Sequence, residues 1–553
     1  MKSNDKLIDG IRRQSTEIEN QLIDELAAGL IGRREFLRHG SVLGMSLPLL
    51  TTLGGAFGLT AVAARPAMAA MGGTIKVATT VPAAAIDPVT IADGGGLLML
   101  QQVGEFLCIS GSDLRLRPAL AESWKPNQDG SVWTFSLRKG VKFNNGKSMS
   151  ADDVVATIDR LADPKNASNA LSAFAGVLSK GNTKKVDDNT VSFQLDAPNG
   201  NFPYYVSSDN YNAIILPADY AGDFEKTFVG TGAFKLEKYT PKVGASFVRN
   251  DDYWGPKASP DRTEFVFYAD MEPQVLALQG HQVDIINQLP VIQGIALLND
   301  PSVNILSIKS SAHTQVHMRC DMAPFTDKRV RRAVALCLER KKLIKGLFRG
   351  HSDVGNDSPF APVFPSTDKS VGQRERDIAQ AKQLLADAGF PNGFTVKLTS
   401  EKYLEIPEYC QVIQQAVRDA GITIDLNIES QDAYYGKAQF GQSDWLDSIL
   451  AATDYGHRGV PNVLLAAPLK SDGPWNAARF KNKEYDGLVN QYIAALDLQS
   501  QRAAAGQIQR LLLDETPIIF SYFYDFLTAT TKKVAGAQAT AMGQLFLERA
   551  TNL

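Results

Sequence analysis

Histidine is scarce in this chain, six in 553 residues, and the sequence contains no HExxH, no GxSxG elbow and no Cys-His signature. The motif arguments that would normally support a zinc enzyme or a serine or cysteine hydrolase are therefore missing. Cysteine is equally sparse. Cys108, Cys320, Cys337 and Cys410 are widely spaced and form no CxxC. Four cysteines allow three full pairings, and single buried thiols are the preferred reading. Charge of one sign is lacking too, with 57 Lys and Arg against 60 Asp and Glu. Nothing in that balance points to a nucleic-acid partner or an acidic disordered tail. No internal repeat and no low-complexity tract is present. What remains is the composition of an ordinary globular protein, 44% hydrophobic, and long enough for two or three domains.

Long hydrophobic runs are also few. The one near the N-terminus, Ser41 to Ala64, is weak and interrupted by Gly44, Pro48, Gly54, Gly55 and Gly58. It follows Arg33-Arg34-Glu35-Phe36-Leu37 and precedes the small-x-small pattern Ala67-Met68-Ala69. Charged region, apolar region and cleavage pattern come in the order of a secretory signal. The Arg33-Arg34 pair gives it a twin-arginine character. About 20 apolar residues could span a bilayer, but the glycines and the proline suit a cleaved signal better than an anchor. The predicted signal region is 1–69, its first 31 residues a charged, helical lead-in. No cysteine precedes Cys108, so no acylated cysteine would tether the product, which is expected free in the periplasm.

Beyond that point the chain alternates helix and strand signals, the mark of an α/β layer structure. Thr74–Ala78 opens as a strand, and Gly94-Gly95-Gly96 reads as a flexible stretch before the apolar segment 97–107. Val132–Leu137 alternates as a half-buried strand, and Val186–Leu195 reads as another. Ser150 with Asp153 forms a capping box for a helix through Leu161. Val330, Ala333, Val334, Cys337 and Leu338 form an apolar helical stripe, capped by Thr326 or Asp327. Ile378, Ala381, Leu385 and Ala388 form a second, ended by Gly389. Val412, Ile413, Ala416, Val417 and Ala420 form a third, ended by Gly421 and followed by a strand at Ile422–Ile428.

Two apparent sites weaken on inspection. Gly140, Gly146, Lys147 and Ser148 miss a phosphate loop by one residue, because five residues separate the glycines where the loop needs four. A hairpin with a Gly turn is the better reading. His313 and His317 lie in the stretch Ile305–Met318, which looks extended, and there four residues separate side chains by roughly 13 Å, too far for one ion. Packed or solvated histidines are expected there, and no metal or cofactor is implied. The late aromatics Tyr434, Tyr435, Trp445, Tyr455 and Trp475 surround Asp454 in sequence. Such rings are usually core, and sometimes pocket walls.

Several strings, taken in order, resemble the family 5 extracellular solute-binding proteins of ABC importers. They are Leu120–Trp124, Trp133–Phe143, Ala151–Val154, Gly230–Phe234, Asp252-Tyr253-Trp254, Phe325–Ala333 and Ala381–Gly389. The resemblance implies a two-lobed α/β periplasmic binding protein with a hinge and an extra domain beside the first lobe. It places the first lobe at 73–105, 195–318 and 522–553, the extra domain at 106–194 and the second lobe at 319–521. It implies a monomer without enzymatic activity that delivers its solute to permease subunits in the inner membrane. It also gives Asp454 a role, since peptide binders of the family carry a Trp-x-x-Asp segment whose carboxylate takes the ligand's α-ammonium group. Ala451 stands where that Trp would be, so one stacking wall is expected to be missing. Tyr455 and Trp475 are the expected ring contacts, and Gly94 and Gly95 match a ligand-facing loop of the first lobe. Asn144 replaces a family His. The implied ligand is a peptide or similar amine-bearing solute. A metal chelate, a glycan or an opine-like amine is the alternative, and a periplasmic hydrolase a more distant one.

Overall fold

The structure, a computed structural model, describes residues 11, 17–27, 31–42, 45, 72–111 and 114–552. Most of the run 41–64 and the whole of Ala67–Ala69 lie outside them. Within the lead-in, Glu17–Ala27 and Arg33–Val42 are helices, so Arg33 and Arg34 open the second of them. Leu22, Ile23, Phe36 and Leu37 pack with Leu498 of the main body.

Two sheets organise the main body. One has seven strands in the order 303–308, 526–531, 285–286, 74–80, 262–268, 244–249, 234–240. Thr74–Thr80 lies near its middle and pairs parallel with both Arg262–Tyr268 and Ile285–Ile286. The second has five strands in the order 423–429, 395–401, 450–455, 313–318, 518–520. The chain therefore passes between the sheets twice, from Ile308 to His313 and from Phe520 to Phe526. His313–Met318 belongs to the second sheet, so the first passage falls a few residues before the expected boundary at 318. The continuous extended run in the sequence hides two strands that serve different lobes.

A third sheet, ordered 121–126, 132–137, 190–194, 183–187, carries the helix Ala151–Ala162. Its Trp133 and Phe135 share one apolar cluster with Val77, Phe247 and Phe265 of the seven-stranded sheet, so the extra domain packs on the first lobe. Val186–Leu195 is not one strand. Thr183–Asp187 and Thr190–Gln194 form a hairpin whose turn is tightened by the Asn189 N–H donating to Asp187 Oδ1 at 2.8 Å.

Local chemistry explains the recurring strings. Ser150 and Asp153 form the expected capping box. Asp327 caps Lys328–Leu336, whose Val330, Ala333 and Val334 are buried. Burying such a side chain fully contributes about 1.5–3 kcal/mol. Arg331, inside that string, donates to Glu515 O at 2.9 Å and Phe325 O at 2.8 Å. Tyr253 Oη and Trp254 Nε1 donate to the two oxygens of Glu105, both at 2.7 Å. Asn144 Nδ2 donates to Phe228 O at 2.8 Å, a structural role. Phe143 N–H donates to Lys147 O at 2.8 Å, closing the expected Gly hairpin rather than a phosphate loop. All four cysteines are free thiols, with burial pushing Cys320 up to about 11 and Cys337 and Cys410 to about 12.

Candidate ligand-binding site

In the second sheet, Thr395–Glu401 runs parallel to both Thr423–Glu429 and Leu450–Tyr455. Ligands of open α/β sheets bind beyond the carboxyl ends of parallel strands. Glu401, Glu429 and Asp454 therefore share one edge. His313 pairs with Tyr455 and Thr314 with Asp454, so the passage from the first lobe arrives at the same edge. The return passage does so too, since Tyr524 N–H donates to Ala312 O at 2.9 Å.

Strand alternation splits Leu450–Tyr455 into two faces. Ala451 and Tyr455 enter a cluster with Tyr434, Trp445 and Leu446, against which Tyr435 and Trp475 pack. The five aromatics noted in the sequence are thus brought together: Tyr435 lies 5.4 Å from Trp445, Trp445 6.4 Å from Trp475, and Tyr455 6.1 Å from Trp475. Tyr455 also stacks on His313 at 5.7 Å. Ala451 is buried within this group, so the space beside it is filled by rings from other segments. Gly94 and Gly95 lie in the first lobe. They are not a flexible stretch but the first turn of the helix Gly94–Val103, capped by Asp93 through Gly96 N–H at 2.9 Å. Gly94 is exposed and Gly95 buried against Thr80 O.

On the other face, Asp454 keeps some exposed surface. Its Oδ1 accepts from Tyr524 Oη at 2.8 Å. Its N–H donates to Glu401 Oε1 at 3.2 Å. Glu401 is fully buried and also accepts from Tyr435 Oη and Gln431 Nε2, each at 2.7 Å. Glu405, four residues on, reaches the first lobe: Val291 N–H and Ile292 N–H donate to its Oε1 at 2.8 and 3.3 Å. No Lys or Arg pairs with Asp454, Glu401 or Glu405 among the described residues. Burial pushes the Asp454 carboxyl up to about 7, with the Glu401 and Glu405 charges adding to the rise and the Tyr524 hydrogen bond opposing it. Burial likewise raises Glu405. An anionic site left without a counter-charge is one that a ligand cation can complete.

Sequence reasoning missed Glu401, Glu405, Tyr435 as a polar group, and Tyr524. The carboxyl-end rule would have found Glu401 once 395–401 was read as a strand parallel to 450–455. His313 and His317 are both buried in one strand. His313 Nδ1 bonds Ser311 O at 2.8 Å and His317 Nε2 bonds Ser448 O at 2.9 Å. Burial lowers both to about 4. No group of metal-ligating side chains occurs among the described residues, and no described helix is long and apolar enough to cross a membrane.

Comparison with known proteins agrees with this architecture. The chain is 27% identical to heme-binding protein A of Haemophilus influenzae over 73% of its own length and 78% of that protein. It is 26% identical to the dipeptide-binding protein DppE of Bacillus subtilis, over 81% and 86%. Among solved structures, the periplasmic binding protein DppA of Helicobacter pylori with the peptide STSA superposes with a TM-score of 0.72 at 22% identity, covering 87% of this chain and 99% of that one. The family model for bacterial extracellular solute-binding proteins, family 5 (middle region), matches residues 115–457, and the chain belongs to that family.

Proposed function

We propose that this protein is the periplasmic solute-binding component of an ABC importer and that its solute is a peptide or comparable small molecule bearing a free amine. The observation that carries the amine is Asp454, a carboxylate at the carboxyl edge of the second sheet with a phenol donor and, among the described residues, no cationic partner. The relatives named as binding dipeptides support the same reading. An ammonium group arriving there would supply the missing charge and gain charge-assisted hydrogen bonds. Both passages between the lobes run beside it, which suits a two-state device whose closed form is favoured because both lobes then touch the solute. The solute passes on unchanged, and ATP hydrolysis falls to another subunit. The protein acts as a monomer. Export uses the segment 1–69 as a cleaved twin-arginine signal, with Arg33 and Arg34 at its head.

Mass spectrometry of natively purified protein tests this reading. A retained, chemically intact solute with a primary amine is expected. A retained product of turnover, or a solute without an amine, contradicts it.

A further inference from the structure

The segment ahead of the main body takes no part in the solute site, yet it has a defined seat. Its helices Glu17–Ala27 and Arg33–Val42 have 11 and 10 residues. Helices that short are marginal in water unless an apolar face is packed. Leu22, Ile23 and Leu26 give the first helix such a face, Phe36 and Leu37 give one to the second, and all five are buried. The two helices pack on each other and on Leu498. Leu498 opens the second-lobe helix Leu498–Glu515. Lys369 of the same lobe brings its Nζ to 3.8 Å from Glu35 Oε1. On the other side, Arg33–Val42 lies against the strand Leu116–Pro118 of the extra domain. Leu116 belongs to the apolar cluster that joins the extra domain to the first lobe. The segment therefore touches both sides of the boundary between lobes. Close by, the lobes meet directly: Gly200 N–H donates to Ile493 O at 3.0 Å, and Asn201 Nδ2 donates to Asn462 Oδ1 at 3.2 Å. A Cβ on Gly200 would run into Ala495 O, so the two main chains are in close contact there.

We propose that residues 17–42 are an intramolecular strap, which docks on Leu498, Lys369 and Leu116–Pro118 and holds the extra domain against the second lobe. While the segment is docked, the contacts at Gly200 and Asn201 cannot part and the cleft stays shut. Once it leaves, the lobes are held only by those few polar contacts and by the two passages between the sheets. The strap is a property of the uncleaved chain and stands on the contacts above. Its removal by cleavage rests on the export reading, under which the precursor takes up no solute before it has been exported and processed.

Hydrogen exchange read by mass spectrometry on the full, uncleaved chain tests this in the parent, Leu498→Asp and Phe36→Asp. An acidic residue in the first turn suits a helix, so Leu498→Asp strikes the docking face and spares Leu498–Glu515. Phe36→Asp strikes the same contact from the other side and leaves the main body untouched. In the parent, the amides of 33–42 should be protected. In both variants they should exchange about 10- to 100-fold faster, the ratio expected when one large apolar side chain is withdrawn from a packed face. The amides of 199–206, Gly200 among them, should speed up together with them. Exchange of 33–42 at the rate of a free peptide in the parent overturns the proposal, as does unchanged protection of 33–42 in both variants. Release of 33–42 without any change at Gly200 means that the segment docks but does not hold the lobes, and the strap is overturned. The export reading stands or falls separately, on the processing of the chain in which Arg33 and Arg34 are replaced by Lys.

Discussion

Tyr524 and Asp454 are joined by a 2.8 Å hydrogen bond, phenol to carboxylate. Tyr524 lies on the return passage from the second lobe to the first, and Asp454 on the sheet edge that would meet solute. The bond ties the charge proposed to receive the ligand to the strand that must bend when the lobes move. Removing the hydroxyl in Tyr524→Phe should weaken binding of an amine-bearing solute by about 10- to 100-fold, in line with about 1.5–3 kcal/mol for a hydrogen bond to a charged group. Affinity by calorimetry, with the radius of gyration measured on the same samples, checks both effects. Unchanged affinity would mean that the phenol does not support the carboxylate.

Binding should depend on pH. In the unliganded protein the Asp454 carboxyl is raised to about 7, so the folded state holds a proton that an ordinary carboxyl would have lost. An acid raised by folding makes the protein less stable as pH climbs from about 4 to about 7, with no further change above that. Ligand ammonium requires the carboxylate, so binding below about pH 7 must expel the proton. Affinity should rise by up to about tenfold per pH unit between pH 5 and 7 and level off above. Calorimetry at pH 6 in buffers of different ionisation enthalpy should show a released proton, and its absence would place the carboxylate's titration elsewhere.

The sequence revealed those parts of the fold whose signal is local. The Ser150 capping box and the Val330–Val334 stripe need only their own neighbours, and Asp454 could be singled out because a family string contains it. Glu401 was hidden because its place depends on a strand pairing, Thr399 with Ala451, that no local pattern encodes. Tyr524 comes to Asp454 from 70 positions away. The stretch 305–318 read as one extended run because alternation continues across the passage between lobes.

Stability should hinge on Asp357. It is fully buried and accepts from Arg340 Nη2 at 2.8 and 2.9 Å, from Arg374 Nη1 at 2.7 Å and from Phe520 N–H at 3.2 Å. Asp357→Ala leaves two guanidinium groups buried without their counter-charge. Breaking such a buried pair costs roughly 3–5 kcal/mol. Denaturant titration should show a clear fall in the unfolding midpoint, while an unchanged midpoint would mean that water or another group replaces the carboxylate.

Replacing Arg33 and Arg34 together by Lys should leave unprocessed precursor in the cytoplasm, read by fractionation and the mass of the product. Normal processing of that variant would remove the twin-arginine reading while leaving export by another route open.

The central claim is that Asp454 holds the ammonium of the solute. Calorimetry of the parent and Asp454→Asn, each with the solute released from natively purified protein and with its N-acetyl form, closes a double-mutant cycle. Losing one member of a buried charge pair costs roughly 2–5 kcal/mol, about 30- to several-thousand-fold in affinity, and water in the cleft favours the low end. The account predicts that Asp454→Asn loses affinity for the free amine by at least the lower figure and discriminates little between the two forms. Equal affinity of parent and Asp454→Asn for the free amine would contradict it.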